Sequence, residues 1–246
     1  MDKNLVIENL TITYKNRTAL EAIDVVVKEE QLTGILGPNG AGKSTFLKGV
    51  LQLIPALSGK STYLGQPIKK RLKRFAYVEQ RQNIELAFPI NVIDVVLLGT
   101  YPKLGMIKRP GKKEKQLAWK CLEKVGMTDF AQNQISELSG GQLQRVFIAR
   151  ALAQEAEWIF LDEPFAGIDA ASEKIMIQLL KQLRDEGISM MIVHHDLHKV
   201  QDYFDQVILL NRELIAAGPV AEVFNLDNMK QAYGEEIAEM LKLGGK

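Results

Sequence analysis

The sequence has few of the features that mark an exported or membrane-spanning protein. Its single cysteine, Cys121, cannot form an intrachain disulfide, which favours the reducing cytoplasm. Only ordinary lysines stand near it, so we do not expect a reactive thiol. Residues 1–8 lack the apolar core of a signal peptide, and no stretch approaches the ~20 apolar residues of a spanning helix. We therefore expect a chain that neither crosses a bilayer nor carries a cleavable signal.

An excess of charge of either sign is also missing. The 31 basic and 30 acidic residues leave a formal net charge of +1, which gives no electrostatic basis for a nucleic-acid partner. Residues 69–74 hold a basic cluster, but no aromatic residues are interleaved with it. A solvated loop is therefore the favoured interpretation of this cluster over a nucleic-acid patch.

Histidine is scarce, and its three copies stand together. His194, His195 and His198 form the pattern H-H-x-x-H, which invites a zinc interpretation. The residues between them are aspartate and leucine, without the glutamate of a zinc-protease helix. We therefore expect no protein-bound metal at these histidines.

A glycine-rich loop is the strongest positive signal in the chain. It fits the phosphate-loop pattern G-x-x-x-x-G-K-[ST], between a strand-like apolar run at 32–36 and a helical pattern from residue 46. Its glycines let backbone N–H groups face phosphate oxygens, and the helix N-terminus adds the positive end of its dipole. Lysine can reach the β- and γ-phosphates, and serine can ligate Mg²⁺. The predicted nucleotide-binding residues are Gly37, Pro38, Asn39, Gly40, Ala41, Gly42, Lys43, Ser44 and Thr45.

Hydrophobic periodicity predicts an α/β protein. Apolar and polar residues alternate over residues 4–35, which indicates antiparallel strands with one solvated face. A turn-like stretch over residues 13–19 lies between them. Later apolar runs are continuous and separated by helical patterns, which indicates parallel strands buried on both faces. These runs lie at residues 158–161, 188–193 and 206–210.

Helical spacing dominates two other parts of the chain. Residues from about 85 to 157 predict a helical subdomain inserted in the α/β core, and residues 221–246 predict a short helical tail. Ile237, Met240 and Leu241 would share one face of that tail, as in a packing or dimer helix. We therefore predict one domain over residues 1–246, with no room for a large C-terminal regulatory domain.

An acidic pair follows the apolar run at 158–161. Asp162 and Glu163 would stand at the carboxyl edge of the sheet, where open α/β folds bind ligands. In phosphate-loop NTPases an acid at this point holds Mg²⁺, and the next carboxylate can polarise the attacking water. The alternative is that the pair, followed by Pro164, is a helix N-cap signal.

A second anion-binding helix N-terminus is indicated shortly before that strand. A Ser-Gly-Gly start precedes the helical run at 142–154. One nucleotide does not need two such sites from one chain, whereas a head-to-tail pair of chains does. The residues of this segment are Leu138, Ser139, Gly140, Gly141 and Gln142.

These features together resemble the ABC-type ATPases, and their motifs occur in the family's order over nearly the whole chain. Residues 138–142 match the signature motif, which acts in trans on the γ-phosphate of a partner chain. The resemblance implies a phosphate-loop NTPase fold with a mixed, largely parallel sheet core, an N-terminal antiparallel β-subdomain and an inserted helical subdomain. It also implies ATP and Mg²⁺ as cofactors and a homodimer of ATPase subunits.

The resemblance also assigns roles to single residues. Tyr14 matches the aromatic residue that stacks on adenine, although its stretch alone left strand-end packing equally open. Gln80 matches the Q-loop glutamine, which contacts Mg²⁺ together with Ser44 and Asp162. The implied catalytic residues are Glu163, His195 and Gln80, and Asp169 falls at the D-loop.

Several stretches resemble one branch of the family, the ATP-binding subunits of importers for manganese, zinc or iron. They lie at residues 76–81, 88–90, 98–102, 165–169 and 193–197. Glu79 in place of a common proline, and Ala166-Gly167 in place of serine-alanine, point to the same branch. The manganese subgroup is the first choice.

The resemblance to these importers implies a place in a larger assembly. The partners would be integral membrane permease subunits and an extracellular metal-binding receptor protein, with this chain peripheral on the cytoplasmic face of the membrane. No nucleic acid is expected. The alternatives are a soluble ABC assembly scaffold, an ABC exporter subunit and a binding module without turnover, the last disfavoured by intact Glu163 and His195.

Overall fold

Residues 3–15, 17–80, 88–105 and 108–235 are described by the structure, which is a computed structural model. The backbone divides into two units, Met1–Leu72 with Gly187–Lys246, and Lys73–Glu186. The strands, in chain order, are β1 (Leu5–Tyr14), β2 (Arg17–Val27), β3 (Leu32–Leu36), β4 (Ser58–Tyr63), β5 (Gln66–Pro67), β6 (Phe75–Val78), β7 (Trp158–Leu161), β8 (Ser189–Val193), β9 (Gln206–Asn211) and β10 (Glu213–Pro219). The helices are α1 (Lys43–Val50), α2 (Val92–Leu98), α3 (Tyr101–Leu104), α4 (Lys112–Lys124), α5 (Gly140–Ala153), α6 (Ala170–Asp185), α7 (Val200–Tyr203), α8 (Val220–Val223) and α9 (Leu226–Tyr233).

An antiparallel sheet in the first unit follows directly from the alternating N-terminal pattern. Its strand order is β2-β1-β4-β5, and the predicted apolar positions of β1 are buried. The ladder between β1 and β2 runs as far as the pair Tyr14 and Arg17. The connection is therefore shorter than the turn expected over residues 13–19, because backbone pairing continues into polar residues.

A mixed sheet in the first unit carries the phosphate loop. β3 lies between β8 and β9 and is parallel to both, while β10 is antiparallel to β9. Every residue of β3 and β8 is buried, as the continuous apolar runs predicted. The predicted α/β class, with its N-terminal antiparallel sheet and largely parallel core, is confirmed.

In the second unit, β6 and β7 form a parallel pair in which Val78 lies opposite Leu161. Helices α2, α4 and α5 pack against one another through their apolar faces. Cys121 lies in this buried face, where burial raises the pKa of its thiol to about 11. A neutral thiol at physiological pH is what the sequence led us to expect.

Two predicted segments extend beyond the described residues. The proposed helical subdomain at about 85–157 contains α2 to α5, but its start at residues 85–87 lies outside the described part. In the tail, α8 and α9 are helical, while Ile237, Met240 and Leu241 lie outside the described part. The single-domain organisation over residues 1–246 stays a prediction. Among the described residues, the helices are all too short or too polar to cross a membrane.

Candidate nucleotide site

The glycine-rich loop of the first unit leaves the sheet at the carboxyl end of β3 and enters α1. Gly37 has φ +151°, and a Cβ there would lie 2.1 Å from the carbonyl oxygen of Leu210. Gly42 is the N-cap of α1 with φ +93°, and a Cβ there would lie 2.6 Å from Leu20 Cδ2. Both positions exclude a side chain, because the loop backbone lies directly against neighbouring strands.

Lys43 lies across this loop. Its side chain is buried, and its Nζ donates to the carbonyl oxygens of Gly37 at 2.8 Å and Pro38 at 3.1 Å. Asn39 and Gly40, at the tip, are exposed, and a Cβ at Gly40 would meet nothing within 4 Å. The loop thus has a rigid base, an ammonium group beside it and an open tip. This arrangement fits a phosphate chain.

The neighbouring strand delivers the histidines to the same edge. β8 runs parallel to β3, with Val193 paired to Ile35, so His194 and His195 follow at the end where the loop begins. His194 is buried against the rings of Tyr203 and Phe204, whereas His195 is exposed. His195 is therefore the one of the two whose side chain can meet a ligand. The described part of the chain places no group of three or more His, Cys, Asp or Glu side chains to hold a metal ion.

Remaining first-unit candidates lie on the loop flanks and on β1. Ser44 and Thr45 are half-buried in the first turn of α1, and Ala41 N donates to Pro38 O at 3.1 Å. Tyr14, the last residue of β1, is 49% exposed. Its ring therefore has a free surface, as adenine stacking requires.

The acidic pair of the second unit stands just past the end of β7. Asp162 is buried, and its N–H donates to Val78 O at 3.1 Å, which extends the pairing of β7 with β6. Glu163 has φ +50°, a left-handed conformation that is uncommon outside glycine and is often found at functional sites. The helix-cap alternative is wrong, because the next helix, α6, begins at Ala170 and its N-cap is Asp169.

Two side chains from the β6 segment hold the acidic pair. Gln80 Nε2 donates to Glu163 Oε2 at 2.9 Å, and Tyr77 Oη donates to Asp162 Oδ2 at 3.0 Å. Burial raises the pKa of Tyr77, and the nearby Asp162 carboxylate raises it further, so the phenol stays a donor. None of the motifs predicted from the sequence assigns a role to Tyr77. Its signal was there, since it stands three residues before Gln80, to which the resemblance does assign a role.

If Asp162 holds Mg²⁺, as the resemblance implies, Tyr77→Phe should raise the Mg²⁺ concentration needed for half-maximal ATP hydrolysis about tenfold, as losing such a supporting partner often does. The reason is that Asp162 would lose the hydroxyl that orients it. Magnesium titrations of the purified protein measure this. Tyr63→Phe, which removes a hydroxyl from another buried strand tyrosine, is the control. If the magnesium dependence of Tyr77→Phe is unchanged, Tyr77 only packs in the core and its hydroxyl does not support Mg²⁺ binding.

The signature segment forms the start of α5. Ser139 is its N-cap, accepting from Gln142 N at 3.3 Å, while Ser139 N donates to Gln142 Oε1 at 2.9 Å. This reciprocal pair is a capping box. A Cβ at Gly141 would lie 2.6 Å from Ser172 Cβ on α6, so glycine here lets the two helix N-termini touch. Leu138 is buried just before the cap, and Gly140 is the first residue of α5.

Asp169 caps α6 beside that contact. Its carboxylate accepts from Ser172 Oγ at 2.6 Å and from Ser172 N at 2.9 Å, and both bonds hold its pKa below the ordinary value. The signature helix and the D-loop thus meet at one residue, Ser172. Both motifs are predicted from the sequence, whereas the contact between them is not.

The donor types among the candidate residues suit Mg²⁺. Ser44 offers a hydroxyl, Asp162 a carboxylate and Gln80 an amide oxygen, and hard oxygen ligands are what Mg²⁺ prefers. Gln80 is oriented with its Nε2 toward Glu163, so its Oε1 is the atom left for a ligand. The side chains present therefore fit this ion.

Comparison with known proteins decides the family. Residues 20–166 match the family model described as ABC transporter, which is more than half of the 246 residues. The chain belongs to the ABC transporter family. As an ABC ATPase it carries a nucleotide-binding domain, and the predicted fold class is confirmed at the family level.

Relatives of this ABC ATPase match it over nearly its whole length. A Listeria innocua protein named manganese transport system ATP-binding protein MntB is 58% identical over 229 residues, covering 93% of this chain and 95% of the relative. A Treponema pallidum protein named zinc transport system ATP-binding protein TroB is 48% identical over 235 residues, covering 96% of this chain and 88% of the relative. A solved metal-chelate type ABC transporter in an inward-facing conformation matches with TM-score 0.84 and 27% identity, covering 95% of this chain and 89% of that chain.

Proposed function

We propose that this protein is the ATP-hydrolysing subunit of a membrane importer for a divalent metal ion, and that the ion is manganese. The observation that carries the proposal is the 58% identity over 93% of the chain with a relative named for manganese transport. The zinc-named relative is less similar, at 48%. The transported ion is the cargo of the assembly and need not touch this subunit.

The proposed roles in the first unit follow from its geometry. Tyr14 would stack on adenine through its exposed ring face. The loop from Gly37 to Thr45 would bind the phosphates, with Lys43 exchanging its loop carbonyl partners for phosphate oxygens. His195, exposed past β8, would contact the γ-phosphate.

In the second unit, Glu163 would polarise the attacking water, and Gln80 would position its carboxylate through the 2.9 Å hydrogen bond. Ser44, Gln80 and Asp162 are the proposed Mg²⁺ ligands. When bound, Mg²⁺ neutralises charge on the β- and γ-phosphates. Tyr77 would keep the Asp162 carboxylate oriented before nucleotide arrives.

A head-to-tail homodimer is part of the proposal. The N-terminus of α5, with residues 138–142, would bind the γ-phosphate held by the partner subunit. Asp169, whose carboxylate is tied to Ser172 next to Gly141, would couple the D-loop to that signature helix. ATP would close the dimer around two nucleotides, and hydrolysis would reopen it.

The proposed permease partner needs an apolar docking surface. Phe88, Leu98 and Tyr101 in the second unit are 63%, 47% and 44% exposed, and these large apolar side chains would suit such a contact. Docking there would place the chain on the cytoplasmic face of the membrane, and a receptor outside the cell would supply the ion.

Elemental analysis of cells tests the cargo. Cells whose only copy carries Glu163→Gln should lose manganese selectively, because transport stops when ATP turnover stops. Glu123→Gln, a change of an exposed carboxylate on α4, is the matched control. A selective fall in zinc or iron would agree with the proposed mechanism but would identify that metal, and not manganese, as the transported ion. Unchanged metal content would overturn the importer and favour the scaffold or the exporter.

A further inference from the structure

The last helix described, α9, ends against the phosphate loop. Tyr233, its final residue, accepts a hydrogen bond through its hydroxyl from the backbone N–H of Gly37 at 2.6 Å. The two residues are 196 positions apart and belong to the same unit. None of the motifs discussed above assigns a role to Tyr233.

This contact acts on the first peptide of the loop, whose glycine is held from three sides. Gly37 N–H faces Tyr233, Gly37 O accepts from Lys43 Nζ at 2.8 Å, and the Leu210 carbonyl occupies the space a side chain would need. Tyr233 and Lys43 therefore both form a hydrogen bond with the backbone of Gly37. A change in the orientation of Gly37 would move the acceptor that positions the lysine.

The end of β9 anchors both the helix and the loop. Asn211 Nδ2 donates to Ala232 O at 3.2 Å, and Arg212 N donates to Ala41 O at 3.0 Å. Met229 and Ala232 bury the apolar face of α9. Tyr233 thus stands at the end of a helix that is packed against the unit and hydrogen-bonded to the end of β9, which gives its hydroxyl a defined place beside Gly37.

We propose that Tyr233 is a positioning residue for nucleotide binding, which holds the first peptide of the phosphate loop in its binding conformation. A loop that is already ordered does not spend binding free energy on ordering when its ligand arrives. If the loop were competent for only part of the time, the apparent affinity would fall by that fraction. The inference rests on the proposed nucleotide site and adds the C-terminal helix to it.

The phenol keeps this role across the physiological range. Burial raises the pKa of Tyr233 to about 12, although the Gly37 N–H acts in the opposite direction. The hydroxyl therefore stays neutral at pH 7 to 9, and nucleotide affinity should not change through titration of this group.

The test is calorimetric titration of the purified full chain with ATP and with ADP. Tyr233→Phe should weaken both nucleotides about threefold to tenfold, the range expected for losing one neutral hydrogen bond. The turnover number at saturating ATP should stay unchanged, because the groups proposed for hydrolysis are intact. Asn211→Ala, which frees the end of α9, should weaken both nucleotides in the same direction.

Tyr63→Phe is the control, since it removes a hydroxyl from a buried tyrosine on β4 and should leave nucleotide affinity as it is. If Tyr233→Phe lowers only the melting temperature while ATP and ADP bind as in the wild type, the hydroxyl has a purely structural role and the inference is wrong. A wild-type chain that binds no nucleotide would instead overturn the proposed function. The two failures are therefore distinguishable.

Discussion

Glu163→Gln is expected to bind ATP as the wild type does and to lose turnover by a factor of about 10² to 10⁴, the usual contribution of a positioned general base. The amide has the size of the carboxylate but cannot take a proton from the attacking water. Its oxygen can still accept from Gln80 Nε2, as Glu163 Oε2 does at 2.9 Å. The variant should therefore keep the local geometry and lose only the chemistry.

This variant should also accumulate the closed dimer. If ATP binding closes two chains and hydrolysis opens them, a variant that binds without hydrolysing stays closed. Gel filtration with ATP and Mg²⁺ should show a dimer for Glu163→Gln and a shorter-lived one for the wild type. Phosphate release measures turnover, with the exposed Glu123→Gln as control. A Glu163→Gln chain that stays monomeric and hydrolyses ATP at the wild-type rate would refute the assignment.

Lys43→Ala is expected to weaken ATP binding about 10- to 100-fold, because charge-assisted hydrogen bonds contribute about 1.5–3 kcal/mol. The buried ammonium now bonds to the carbonyls of Gly37 and Pro38 and would turn to phosphate oxygens. Its loss removes the charge partner of the phosphates and also a tie across the loop. Both effects act in the same direction on affinity.

Lys48→Ala is the control that separates the loss of the Lys43 contacts from a general loss of positive charge on α1. Lys48 lies on the same helix, so the control removes an equal charge from the same element. Titration with ATP at constant ionic strength should show wild-type affinity for the control and a large loss for Lys43→Ala. Wild-type affinity in Lys43→Ala would mean that the phosphates are bound elsewhere.

Much of the fold was predictable because its signals are local. Alternation over β1 and β2 encodes a half-buried antiparallel pair, and the continuous apolar runs of β3, β7 and β8 encode strands buried on both faces. Errors were confined to the edges of elements. The turn after Tyr14 was predicted too long, because ladder pairing does not stop where the residues become polar.

The candidate residues could also be proposed from the sequence, since several motifs are short runs whose backbone conformation their own residues favour. Only glycine suits the left-handed, closely packed position of Gly42, and Ser139 with Gln142 carries its own helix cap. Parallel strands place their carboxyl ends at one edge, so β3 and β8 bring the loop and His195 there.

The sequence by itself thus determined the family, the main elements and the set of residues that we propose for the nucleotide site. Only the tertiary structure decided which side chains support them: Tyr77 on Asp162, 85 residues away, and Tyr233 on Gly37, 196 residues away. Local patterns specify backbone conformation and burial within a few residues. A hydrogen bond between distant elements depends instead on how those elements pack, to a fraction of an ångström, and no short run of residues encodes that.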